Sequence, residues 1–189
     1  MSRYPVGFLS YVRADDQHDG GKLTEFRKWL CGEIEAQTGE LFHIFQDRDD
    51  IAWGQSWRER IHDCIDAGTF LICIITPRFF RSDSCRAELE RFVAREKEIG
   101  RNDLILPVYY IDCPALDDEC RREADPLAQL ISERNYVDWR ELRFEPIDSP
   151  QAKKTLARLA TDIRQALETR FPATLINKWG QKLAPGTFK

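Results

Sequence analysis

The run TFLICIITP, residues 69–77, is apolar at every position between its two threonines and shows no alternation between faces. A strand exposed on one side alternates polar and apolar residues, whereas one buried on both sides reads as a continuous Val/Ile/Leu-like run. This segment therefore predicts a central strand covered by helices on both faces. That demand restricts the chain to an α/β architecture with a largely parallel sheet.

The rest of the chain supplies matching parts. GFLSYV (7–12), ELFHIFQD (40–47), DLILPVYYI (103–111) and NYVDW (135–139) read as further strands. Between them, Leu23, Phe26, Leu30 and Ile34 recur at helical spacing up to Gly39. Trp57, Ile61, Cys64 and Ile65 do so up to Gly68, and Cys85, Leu89, Phe92 and Val93 up to Gly100. A short fourth helix is expected before Glu133, and Leu156, Leu159, Ile163 and Leu167 mark a last one. RADDQHDGG (13–21) reads as a polar turn. Five β-α units in succession, joined by right-handed crossovers, predict a flavodoxin-like five-stranded parallel sheet with helices on both faces. Residues 1–171 form the expected domain. Residues 172–189 have no clear period and read as a tail, either a terminal packing segment or a linker to a further domain.

Composition excludes several functions. With 28 Lys and Arg against 32 Asp and Glu, interspersed along the chain, a net charge of −4 offers no basic footprint for nucleic acid. No stretch is apolar enough for a signal peptide or a membrane span, so a cytoplasmic protein is expected. Six cysteines lack a CxxC pair or zinc-finger spacing, and Cys31, Cys64, Cys73 and Cys85 fall on predicted core faces. They read as buried, reduced thiols.

In an open parallel sheet, ligands bind at the carboxyl ends of the strands. Here those ends are Ser10 to Asp16, Asp47 to Trp57, Thr76 to Ser84 and Tyr110 to Asp112, with Glu88 close behind the third. GxGxxG and GxxxxGK[ST] are both missing, which removes dinucleotide-fold and P-loop phosphate cradles. Asp15 and Asp16 mimic the acidic pair of a phospho-receiver, but Thr76 and Pro77 stand where its acceptor aspartate belongs. His18, His43 and His62 are scattered, so no hydrolase triad is indicated. DRDD (47–50) lacks the oxygen spacing of a calcium loop, and no metal site is expected.

FLSYVRADD (8–16), QDRDDIAWGQSW (46–57) and SDSCRAELERF (82–92), in that order on this skeleton, resemble the three signature regions of the Toll/interleukin-1 receptor (TIR) domain. The resemblance spans roughly residues 6 to 170. It implies that Glu88, in the pattern Ser82, Cys85, Glu88, is the catalytic carboxylate of an NAD+ nucleosidase or ADP-ribosyl cyclase acting in defence or signalling. NAD+ would be the substrate, with no cofactor. Ser10, Tyr11, Arg13, Phe79, Ser82 and Cys85 would contact it, Arg13 as the better phosphate partner through its planar fork, and Asp47, Asp49, Trp53 and Trp57 would do so from a covering loop that also mediates contacts between copies. Many members carry Trp before the cysteine, where this chain has Ser84. An aromatic stacking role would then pass to Trp53, Trp57, Phe79 or Phe80.

For Glu88 the plain reading is a surface pair with Arg91 at i+3, and for Arg13 an ion pair with Asp15 or Asp16. At the level of the whole protein, the alternative is a non-catalytic TIR adaptor. A nucleoside-processing enzyme of similar fold, using the same carboxylate, stands as a third and more remote reading.

Overall fold

The computed structural model describes residues 6–46 and 69–170. Five parallel strands, β1 (Val6–Ser10), β2 (His43–Phe45), β3 (Thr69–Ile75), β4 (Ile105–Tyr109) and β5 (Val137–Asp138), lie in the order β2-β1-β3-β4-β5. This is the flavodoxin-like order, in which the chain reverses direction across the sheet between β1 and β3. The central position of β3 is the one its sequence demands: Phe70 to Ile75 are all buried.

Two long helices flank this centre. α2 (Lys22–Thr38) connects β1 to β2 on one side, and α3 (Asp83–Ile99) connects β3 to β4 on the other. Right-handed crossovers running in opposite directions put them on opposite faces. Each is ended by a glycine in the left-handed region, Gly39 at φ 71° and Gly100 at φ 68°, as the expected stops require. The last helix, α7 (Pro150–Arg170), packs along α2. Leu23, Phe26, Leu30 and Ile34 on α2 and Leu156, Leu159 and Ile163 on α7 are buried, so the sequence stripes are the core faces.

Two expectations are corrected. The segment read as a polar turn contains a six-residue helix, α1 (Arg13–His18), whose buried members are Asp15 and Asp16. A helix that buries carboxylates has no apolar period to detect. The single fourth helix is three: α4 (Pro114–Asp117), α5 (Glu119–Ala124) and α6 (Pro126–Ser132). Asp118 and Asp125 divide them, each turning its side chain to a backbone N–H of the following helix, and Pro126 starts α6 at a position where no N–H is needed. The second predicted helix, the loop Asp47 to Trp57 and the tail 172–189 lie outside the described residues.

Candidate functional site

Strand alternation places Phe8 and Ser10 on one face of β1, two residues apart, and α3 covers that face. The Phe8 ring meets Phe92 at 6.4 Å between centroids, and the Ser10 hydroxyl donates to Glu88 Oε2 at 2.7 Å. Glu88 and Phe92 are i and i+4 on α3, so one helical stripe carries an apolar contact and a polar one. The polar contact falls at the carboxyl end of β1, beside the switch point of the sheet. Glu88 is half-buried and Ser10 is buried. The carboxylate is therefore oriented from beneath by a fixed donor.

The helix presenting Glu88 is set by its first turn. Ser82 is the N-cap of α3, its Oγ accepting from the Cys85 N–H at 3.4 Å, and Ser82 and Ser84 share a hydroxyl contact at 3.0 Å. From the same helix Arg86 makes two hydrogen bonds to Asp125, tying α3 to the start of α6. Cys85 is buried behind Ser10 and Glu88. Burial, together with the charges of Glu88 and Asp15, pushes its thiol upward despite the nearby hydroxyls of Ser82 and Ser10. A raised thiol stays protonated near neutral pH and is a poor nucleophile. The nucleophile or charge-stabiliser that this edge can offer is thus a carboxylate.

Asp15 and Asp16 serve the frame. Asp16 accepts from the backbone N–H groups of Leu23 and Thr24 and from the Thr24 hydroxyl, satisfying the start of α2. Asp15 accepts from the Thr76 hydroxyl at 2.7 Å and from Arg78 Nη1 at 2.8 Å. Thr76 occupies the place a receiver would give to its aspartate. Arg13 itself is the exposed first residue of α1.

Among the remaining nominated residues, Tyr11 is half-buried, its hydroxyl accepting from Gln46 Nε2 at 3.2 Å. Phe79 is fully buried on a single 3₁₀ turn, Phe79–Arg81, and packs edge-on against Phe80 at 5.5 Å. Both rings belong to the core cluster, so neither is placed as an open stacking surface. Asp47, Asp49, Trp53 and Trp57 lie outside the described residues. Sequence reasoning missed Arg78; the one signal it gave is position, as the first cation after the carboxyl end of β3. It also missed a cavity of about 280 Å³ between Lys22, Tyr110, Trp139, Arg143 and Phe144. Among the described residues no group of three or more His, Cys, Asp or Glu is placed to hold a metal ion, and no helix is long and apolar enough to cross a membrane.

A family model described as "TIR domain" matches residues 8–159. Among solved structures, the chain is similar to the TIR domain of the Toll-related receptor TRR-2 from Hydra magnipapillata, at 19% identity over 84% of this chain and 97% of that one, with a TM-score of 0.49. It is also similar to the TIR domains of the activated Roq1 resistosome recognising the effector XopQ, at 15% identity over 89% of this chain and 100% of that one, with a TM-score of 0.46. No sequence among curated proteins matches it.

Proposed function

The chain belongs to the TIR domain family, and from that premise we propose that it is an NAD+ nucleosidase or ADP-ribosyl cyclase in which Glu88 is the catalytic carboxylate. The observation that carries this reading is the Ser10 to Glu88 hydrogen bond at the carboxyl edge of the sheet. A half-buried carboxylate, oriented by a buried hydroxyl at the switch point, is what a developing positive charge on a ribose would need.

Cleavage breaks the bond between ribose C1′ and the nicotinamide ring nitrogen, and the electron pair leaves with nicotinamide, which departs neutral. The ribose passes through an oxocarbenium-like state that the Glu88 carboxylate stabilises. Water adding at C1′ and losing a proton completes ADP-ribose; an adenine nitrogen of the same molecule adding there gives a cyclic isomer. Ser82 and Cys85 hold the helix turn that presents Glu88, and Tyr11 and Arg13 flank the entrance. Asp47, Asp49, Trp53 and Trp57 are assigned to the covering loop by family resemblance alone.

Self-association completes the proposal. A head-to-tail contact lets one copy's loop close over its neighbour's crevice, so turnover rises with protein concentration. The test is nicotinamide release from NAD+ by concentrated wild type and Glu88→Ala. Loss of release in the variant supports the reading, and equal release overturns it. If wild type leaves NAD+ intact while still pairing with another TIR domain, the protein is an adaptor.

A further inference from the structure

We propose that Arg78 grips the diphosphate of the dinucleotide, an assignment that rests on the NAD+ reading above. Three residues build it. Thr76, buried just beyond β3, donates its hydroxyl to one oxygen of Asp15, and the other oxygen receives Arg78 Nη1 at 2.8 Å. The Asp15 side chain is 6% exposed and that of Arg78 is 58% exposed. The anchored end of the pair is inside and the cationic end is in solvent. A guanidinium carries five N–H donors in a planar fork, and among the described residues Asp15 is its hydrogen-bond partner through one nitrogen. The outward donors are left to something outside the fold.

Its position suits a ligand lying on Glu88. Ser10 and Asp15 both follow from β1, while Thr76 and Arg78 follow β3, the strand beside it. The two pairs, Ser10 with Glu88 and Asp15 with Arg78, therefore share the switch-point edge, and both carboxylates raise the Cys85 thiol lying near them. The charge logic points the same way. A chain of net charge −4 does not draw a doubly negative diphosphate by its overall field, so a local cation at the crevice has to supply the attraction. Arginine matches phosphate with two parallel hydrogen bonds, which lysine cannot do.

A plain alternative is that Arg78 only ties the 3₁₀ turn to α1. Titrating full-length wild type, Arg78→Ala and Arg78→Lys with ADP-ribose by calorimetry separates the two. The alanine variant is expected to weaken binding roughly 10- to 100-fold, the loss of a charge-assisted hydrogen bond. The lysine variant should recover part of this, because it keeps the charge and a partner for Asp15 but not the fork. Binding of nicotinamide riboside, which has no phosphate, should be unchanged in both. If ADP-ribose binds all three proteins equally while wild type cleaves NAD+, the Arg78 assignment is wrong and the NAD+ reading stands. If wild type binds ADP-ribose without cleaving NAD+, the cleavage reading falls and the comparison of affinities still decides Arg78. If wild type neither binds nor cleaves, both fall.

Discussion

The Ser10 hydroxyl donates to Glu88 Oε2 at 2.7 Å, joining the end of a strand to the middle of a helix 78 residues later. A hydrogen bond to a charged group is worth roughly 1.5–3 kcal/mol, and a loss of about 1.4 kcal/mol slows a rate about tenfold. Ser10→Ala should therefore lower the rate of nicotinamide release roughly tenfold or more, whereas Glu88→Ala removes it. Initial rates at equal, high protein concentration give the comparison. An unchanged rate in Ser10→Ala would mean that this contact does not position the carboxylate for reaction.

Much of the fold behind that contact is legible in sequence because apolar periodicity reports burial directly. The both-sided run at 69–77 marks the central strand, and the stripes of α2, α3 and α7 give their buried faces. The site is less legible because its members are polar and meet across the fold. Nothing local to Glu88 announces Ser10, and helical spacing offers only Arg91. Asp15 and Asp16 look like functional acids, yet one binds Thr76 and Arg78 and the other the start of α2. Phe79 looks like a crevice aromatic because it follows β3, but the 3₁₀ turn folds its ring inward. Tertiary contacts chose the role of each of these residues.

Asp19 makes the fold acid-sensitive. Burial pushes its carboxyl up, and hydrogen bonds from Tyr110 and Arg143 with the Arg143 charge outweigh this, leaving it below its ordinary value of 3.8. A depressed carboxyl binds protons more weakly folded than unfolded, so its stabilisation is complete above the ordinary value and is lost as pH falls through the folded one. Asp125 and Asp138 are lowered as well, Asp125 by Arg86 against its burial and Asp138 foremost by Arg140. Urea midpoints should fall as pH drops below about 4. Asp19→Asn should be less stable than wild type at pH 7 and lose less on acidification; an identical pH slope would exclude Asp19 as a contributor.

Glu96 is a structural charge. It is 3% exposed on α3, accepts from the Leu104 N–H at 2.8 Å, and is bound by two guanidinium nitrogens of Arg134. Removing one partner of such a buried pair strands the other, at roughly 3–5 kcal/mol. Glu96→Ala should lose about that much in denaturant unfolding. Glu96→Gln, which keeps an acceptor for Leu104, should lose less. A change below about 1 kcal/mol in the alanine variant would show that Arg134 finds water instead.

The cysteines provide a check on the chemistry assigned to the crevice. Cys73, Cys85 and Cys113 are buried, and burial is the foremost cause raising each thiol. Thiolate is the reactive form, so all three should resist alkylation in the folded protein at pH 8. Cys120 is exposed on α5 and, among the described cysteines, should be modified first. Timed iodoacetamide labelling with peptide mass mapping reads this order, and unfolding in urea should expose the three resistant sites together. Rapid native labelling of Cys85 would contradict a protonated, buried thiol beside Glu88 and would reopen a cysteine nucleophile as the reacting group.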